Sequence, residues 1–339
     1  MAIRLLTNHQ VKMKILFIGG TGNISASSSR FAIEKRLDLY HLNRGISKMK
    51  IQGVKTIQGD ITNPDKLNEL KKHSWDVVVN WIAFTPEDIE RDLALFEGKT
   101  KQYVFISSAS CYQTPLSYPF ITESTPLHNN MWHYSKNKIL CEDRLMKAYR
   151  DEDFPITIVR PSLTYDTVIP IAIGGFNEYT TADRILNGKK IIIHGDGTSL
   201  WTVTHADDFA KGFVGLLGLT QAIGHAFHIT SDEILNWNTI YKILADSLGC
   251  ELNAVHIASD FICKTEPSFT GTLLADKAES VIFDNSKIKT FVPGFKATIP
   301  FAEGIKRTLR WLDENPGEKY INAETNSQIE NILKKYNEL

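Results

Sequence analysis

Several things are scarce in this sequence, and each scarcity excludes something. Cysteine is rare: Cys111, Cys141, Cys250 and Cys263 are the four among 339 residues. None stands in C-x-x-C spacing, so neither a disulfide framework nor a zinc ribbon is written here; the thiols read as reduced, in a cytoplasmic protein. The ten histidines show no ligand spacing, and no metal is expected. An excess of one charge is missing: 38 Lys and Arg against 39 Asp and Glu leave a net charge of −1. That balance gives no footprint for nucleic acid or for an anionic membrane surface. Long apolar runs are missing too. Stretches such as Phe213–Leu219 fall far short of the ~20 residues a membrane span needs. Met1–Lys14 has basic residues but no apolar h-region, so no secretory signal is read.

What remains is a globular balance, 42% hydrophobic and 23% charged. At ~150 residues per domain the length suggests about two domains. The pattern of the first half is regular. Short apolar runs at Lys14–Ile18, Leu37–Leu42, Val54–Ile57, Val77–Val79, Tyr103–Ile106 and Ile156–Val159 read as strands. Helical stretches at Ser25–Arg36, Pro64–Lys72, Glu87–Phe96 and Trp132–Tyr149 alternate with them. Strand–helix alternation requires right-handed crossovers, hence an α/β fold with a doubly wound parallel sheet of Rossmann type. Beyond Arg160-Pro161 the alternation weakens and amphipathic helices such as Thr239–Leu248 and Phe301–Leu312 take over. A smaller, mostly helical C-terminal domain is expected there. The organisation expected is an N-terminal extension (1–12), a dinucleotide-binding domain (13–165, with 200–230 returning to it), a substrate domain (166–199 and 231–315), and a tail (316–339) forming a peripheral helix or a frayed end.

In such sheets ligands sit beyond the carboxyl ends of the strands, so the informative residues follow each strand. Gly19-Gly20-Thr21-Gly22-Asn23-Ile24-Ser25 closes the first strand and opens a helix. Glycines there permit a tight turn and bring backbone N–H groups against a pyrophosphate. Ser25 stands at the third glycine position and is small enough for close packing. The second strand ends in Asn43-Arg44, with no carboxylate for the ribose hydroxyls of NAD and a cation suited to a 2′-phosphate. That tilts NAD(P) binding towards NADP. Asp60, after the third strand, suits either an adenine amino group or a turn before Pro64.

Tyr134 and Lys138 stand four residues apart, on one helix face. A phenol of ordinary pKa near 10 is a poor proton shuttle at pH 7, and a neighbouring ammonium lowers it. Ser108, at the end of the fifth strand, places a hydroxyl beside them, with Ser107 as the fallback. Cys111 is expected to be simply buried, and Asp207-Asp208 to cap the helix they open.

These pieces, with Asn80-Trp81-Ile82-Ala83, Ser107–Tyr112, Arg160-Pro161-Ser162 and Gly195-Asp196-Gly197 leading to His205–Ala210, resemble the extended short-chain dehydrogenase/reductase superfamily over roughly residues 13–315. The resemblance implies Ser108, Tyr134 and Lys138 as the catalytic set. It implies a cofactor held by Gly19, Thr21, Gly22, Asn23, Ile24, Asn43, Arg44, Asp60, Ile61, Ile82, Ala83, Tyr134, Lys138 and Pro161. Substrate would meet Ser108, Ser110, Tyr134, Asn177 and Trp201. The reactions implied are nucleotide-sugar 4-epimerisation or 4-ketoreduction. The family's 4,6-dehydratases carry Asp-Glu after the catalytic hydroxyl, where this chain has Ala109-Ser110. Trp201 stands where relatives often have an arginine that grips the substrate diphosphate; Arg184 is the substitute cation considered. Relatives often dimerise through two long helices, here near Phe96 and Trp132–Tyr149. The alternative is a non-catalytic, NAD(P)- or RNA-binding relative, whose usual mark is a damaged glycine turn or YxxxK; both are intact here.

Overall fold

The computed structural model describes residues 12–47, 49–63, 65 and 70–338. The expected extension before Lys12, and most of the helix expected over Pro64–Lys72, lie outside them. Strands β1 (Lys14–Ile18), β2 (Asp38–Asn43), β3 (Lys55–Gln58), β4 (Val77–Asn80), β5 (Tyr103–Ile106), β6 (Ile156–Arg160) and β7 (Ala226–His228) form one sheet. Their order is β7-β6-β5-β4-β1-β2-β3, and every pairing is parallel. The sequence pattern explains this. β4, β5 and β6 are buried at every position, as strands covered on both faces must be, so they read as continuous apolar runs.

Helices α1 (Ser25–Glu34), α2 (Pro86–Phe96), α3 (His133–Glu152), α4 (Thr180–Leu186), α5 (Ala206–Leu216), α6 (Trp237–Ser247), α7 (Phe301–Glu314) and α8 (Ala323–Asn337) complete the frame used below. Ile89, Leu93, Cys141 and Leu145 of α2 and α3 cover the sheet face formed by Leu16, Val78, Phe105 and Ile158. Ala32, Phe209 and Phe213 of α1 and α5 cover the opposite face, formed by Phe17, Val79, Val104 and Val159. The chain reverses its winding between β1 and β4, and the crevice at that switch point opens towards the glycine turn.

The C-terminal portion has its own core, in which Trp201, Trp237, Tyr241, Ile305 and Leu309 pack together. One local expectation changes. Asp207-Asp208 does not cap α5: His205 does, its Nδ1 accepting from the Asp207 amide at 3.2 Å. Asp208 instead accepts from the amides of Thr298 and Ile299 at 2.9 and 2.8 Å, tying α5 to the segment before α7. Of the two outcomes expected for the tail, the helix is the one formed. Ile329, Ile332 and Leu333 of α8 are buried against Ile173, Ile192 and Ile257.

Candidate active site

A cleft of about 1120 Å³ lies beyond the carboxyl ends of β1 to β6 and is lined by both portions of the chain. At one end is the glycine turn. Gly19 and Gly20 have φ of +95° and +115°, a region that side chains rarely adopt. Space forbids a substitution at Gly20 as well: a Cβ there would lie 2.6 Å from the His41 ring. That imidazole is buried, stacked on Phe17 with centroids 5.8 Å apart, and hydrogen-bonded to Ser29 Oγ at 2.9 Å. Burial pushes its pKa down to about 4, so the turn rests on a neutral ring. Gly22 differs, since a Cβ there would meet only Ser25 Oγ, at 3.5 Å. Ser25 Oγ accepts from the Gly22 amide at 2.9 Å, so the serine closes the turn as well as packing beneath it. No side chain caps α1, and its first turn carries no acid, which leaves this end suited to an anion.

Thr21, Asn23, Ile24, Asn43, Arg44, Asp60, Ile61 and Ile82 line the same end. The Asn23 side chain is already committed: Nδ2 donates to the Thr164 carbonyl and Oδ1 accepts from the Asp166 amide, both at 2.8 Å. It ties the turn to the strap after β6. Asp60 accepts from the Thr62 amide and hydroxyl at 2.9 and 2.8 Å, and these bonds hold its carboxyl below the ordinary range. It therefore makes a turn while still facing the cleft. Arg91, which the sequence reading missed, lines this end from α2 and pairs with Asp88 at 2.8 Å. The (i, i+3) spacing of Asp88 and Arg91 after Pro86 was the available signal.

Ser108, Tyr134 and Lys138 meet in the middle of the cleft, with Ser110 and Pro161 beside them. Lys138 is 1% exposed, and its Nζ donates to the carbonyls of Ala83 and Ile106, both at 2.7 Å. This corrects the placement of Ala83: it is fully buried behind the cleft wall, and its carbonyl holds the lysine. A second correction concerns Tyr134. Packed against Trp132 and Phe84 at 5.0 and 6.3 Å between centroids, it is desolvated, and its pKa is pushed up to about 12. Lys138 is 5.8 Å from the ring centroid, bound to carbonyls, and itself pushed down to about 8 by burial. Desolvation outweighs the ammonium here; a hydrogen bond with Ser108 is what pulls the phenol down.

The Ser108 hydroxyl is oriented by a chain. Ser135 Oγ donates to Ser110 Oγ at 2.7 Å, and Ser110 Oγ lies 2.9 Å from Ser108 Oγ. The Ser110 amide also donates to Ser108 Oγ, at 3.2 Å. Ser108 Oγ thus sits between the Ser110 hydroxyl and amide on one side and the Tyr134 phenol on the other. Hydroxyl chains of this kind polarise one another. Ser107 is not free for the role, because its hydroxyl donates to Glu142, which forms a buried pair with Arg160 at 2.6 Å. Cys111 is fully buried, and burial raises its thiol to about 12, as expected of a packing residue.

At the far end, Asn177 and Trp201 line the cleft with Phe176, Asp276, Lys277 and Glu279. Arg184 does not: it is 1% exposed and binds the Lys190 carbonyl, Asn326 and Glu330, docking α8 onto α4. The three charged residues at 276–279 were missed, since no motif marks them. Among the described residues no cluster of three or more His, Cys, Asp or Glu is placed to hold a metal. No described helix is long and apolar enough to cross a membrane.

The chain is similar to known proteins in sequence and in fold. A family model described as the NAD dependent epimerase/dehydratase family matches residues 15–229. The dTDP-D-glucose 4,6-dehydratase of Homo sapiens is 22% identical over 289 residues, covering 78% of this chain and 76% of that one. An epimerase from Methanothermobacter thermautotrophicus shares the fold with a TM-score of 0.74 at 17% identity, over 90% of this chain and 94% of the other. The UDP-glucuronic acid 4-epimerase of Bacillus cereus, solved with UDP-glucuronic acid and NAD, gives a TM-score of 0.70 at 17% identity, over 89% of this chain and all of that one.

Proposed function

The chain belongs to the NAD-dependent epimerase/dehydratase family, and from that premise we propose that it is an NAD(P)-dependent epimerase or ketoreductase acting at a carbinol or ketone carbon of a sugar. The dTDP-D-glucose dehydratase and the UDP-glucuronic acid epimerase named above act on nucleotide sugars, so a 4-epimerase or 4-ketoreductase of that class is the starting point. The observation that carries the reading is one cleft in which an uncapped glycine turn, Ser108, Tyr134 and Lys138 converge. The turn and the amides opening α1 would hold the pyrophosphate. Asn43 and Arg44 would meet the adenosine ribose, with NADP favoured. The dinucleotide, when bound, supplies or accepts the hydride. Ser108 would hydrogen-bond the substrate oxygen, and Tyr134 gives or takes a proton at that same oxygen. Lys138 fixes the cleft wall through Ala83 and Ile106. Ala109 and Ser110 offer no carboxyl pair for eliminating water, which separates this chain from the dehydratases it resembles. The intact Tyr134–Lys138 pair disfavours a non-catalytic binder. The same reading carries a homodimer through α2 and α3, where Leu140 is 44% exposed.

The test is turnover by Tyr134→Phe. On a sugar that the wild type reduces with NADPH or epimerises, the rate should fall about 10²–10⁴-fold, with cofactor affinity unchanged within a few-fold. Near-normal turnover would remove Tyr134 from the mechanism.

A further inference from the structure

We infer that the substrate end of this cleft is built for a sugar that carries no nucleoside diphosphate. The inference rests on the hydride-transfer reading above and departs from its nucleotide-sugar starting point. The argument starts from charge. A diphosphate is recognised by unpaired arginines or lysines, or by free backbone amides at a helix start. Lys277 is the one cation lining the substrate end among the described residues; Arg44, Arg91 and Lys138 line the other parts of the cleft. Lys277 is not unpaired. Its Nζ lies 2.5 Å from Asp276 Oδ2, and the pair is largely buried. The same ammonium lies 5.9 Å from the centre of the Trp201 ring. Glu279 adds a second carboxylate on the cleft wall, fixed by the Leu116 amide at 2.8 Å. The three charges at 276–279 therefore sum to one negative. A diphosphate at this end would meet two carboxylates and one neutralised lysine, and juxtaposed like charges exclude a ligand.

The same residues suit sugar hydroxyls. Carboxylates accept charge-assisted hydrogen bonds from O–H donors. Trp201 is 3% exposed, and its indole N–H is buried without an acceptor among the described residues. The rest of the wall, with Ile171, Phe176, Val281 and Phe283, is an apolar surface for the C–H faces of a ring. An indole replaces a guanidinium here, and the acids beside it point the same way.

The experiment is calorimetric titration of UDP and UDP-glucose into protein already saturated with NADP, or with NAD if that binds better, so that neither probe enters the dinucleotide end. The wild type should show no saturable binding up to millimolar concentration. The double variant Asp276→Asn, Glu279→Gln frees Lys277 and removes both anions, and it should gain at least tenfold in affinity for UDP. Micromolar binding of UDP by the wild type, lost in Lys277→Ala, overturns the inference, and so does a double variant that gains nothing. Dinucleotide affinity, measured in the same samples, reports separately. Its retention shows that the variants fold, whereas its absence in the wild type would count against the hydride-transfer reading itself.

Discussion

The two ends of the cleft are made differently. The dinucleotide end is built around one stretch of chain, the turn after β1 and the ends of β2 and β3 within residues 18–62, joined by Ile82 and Arg91. The substrate end is side chains gathered from 112–134, 171–177, 201 and 272–283. The first kind of site is dictated by local geometry, because a glycine turn between a strand and a helix has few conformations. The second exists only after long-range packing has brought separate segments together. One consequence is that the glycines of the turn are not equivalent. Gly20 is required by the protein, whose His41 ring fills the space beneath it, while Gly22 is open on the protein side. Gly22→Val is therefore expected to lower dinucleotide affinity at least about 100-fold, roughly 3 kcal/mol, with little change in melting temperature. Gly20→Val should instead destabilise the fold, by about 1–3 kcal/mol from backbone strain alone and more from the clash with His41. Titration and thermal melts of both variants distinguish the two. Equal behaviour would mean that the turn is a single structural unit with no ligand-facing side.

Lys138 stands at the seam between the ends, and its contribution is read through pH. Its pKa is about 8 in the folded chain against the ordinary 10.5. Between those values the unfolded chain binds more protons than the folded one. Stability from this group therefore rises with pH across that window, by up to about 1.4 kcal/mol per pH unit. Cys111 and Cys141, pushed up to about 12 from 9, act in the opposite sense from about pH 9. The lysine is consequently isolated as the difference between wild type and Lys138→Met in denaturant melts at pH 8, 9 and 10. The gap between the two should change in favour of the wild type as pH rises; a gap that stays constant would mean the lysine is hydrated.

The same contrast governs what could be read from residues alone. The turn, the strand order and the Ser108, Tyr134, Lys138 set were legible because each follows a strand with a local signature. Where the reading missed, tertiary structure had reassigned a polar group. Ala83 sits in a segment that borders the cleft, yet it faces away and lends only its carbonyl to Lys138. Arg184 looked like a free cation but is consumed in docking α8. The α8 helix was one of two outcomes open for the tail; Ile329, Ile332 and Leu333 at helical spacing carried it, and polarity on its other faces kept the frayed end open beside it. β7 is only three residues long, too short for periodicity to announce. Asp276, Lys277 and Glu279 belong to no motif, and only the folded chain shows that they share a wall with Trp201.

The smallest effect concerns the residue pair at the end of β2, where the cofactor's identity is decided. The Asn43 side-chain amide lies against the Gly19 and Leu42 carbonyls at 2.8 and 3.1 Å, and assigning its nitrogen to that side lets it donate to both and brace the glycine turn. An ionised aspartate at that place could not donate to either carbonyl, so the missing acid has a structural reason independent of the cofactor. Arg44 is exposed on the cleft rim beside Gly45 and Ser47. A charge-assisted bond to a phosphate contributes roughly 1.5–3 kcal/mol when well shielded. Exposure and salt screening reduce that, so a preference for NADP over NAD of about tenfold is expected. Calorimetry with both dinucleotides should show Arg44→Ala reducing that ratio towards one, with NAD affinity unchanged, and raised salt should do the same to the wild type. If NAD binds more tightly in the wild type, or if the ratio survives the substitution, Arg44 serves the solvent and the ribose is read by another group, for which Arg91 on the same wall is the candidate.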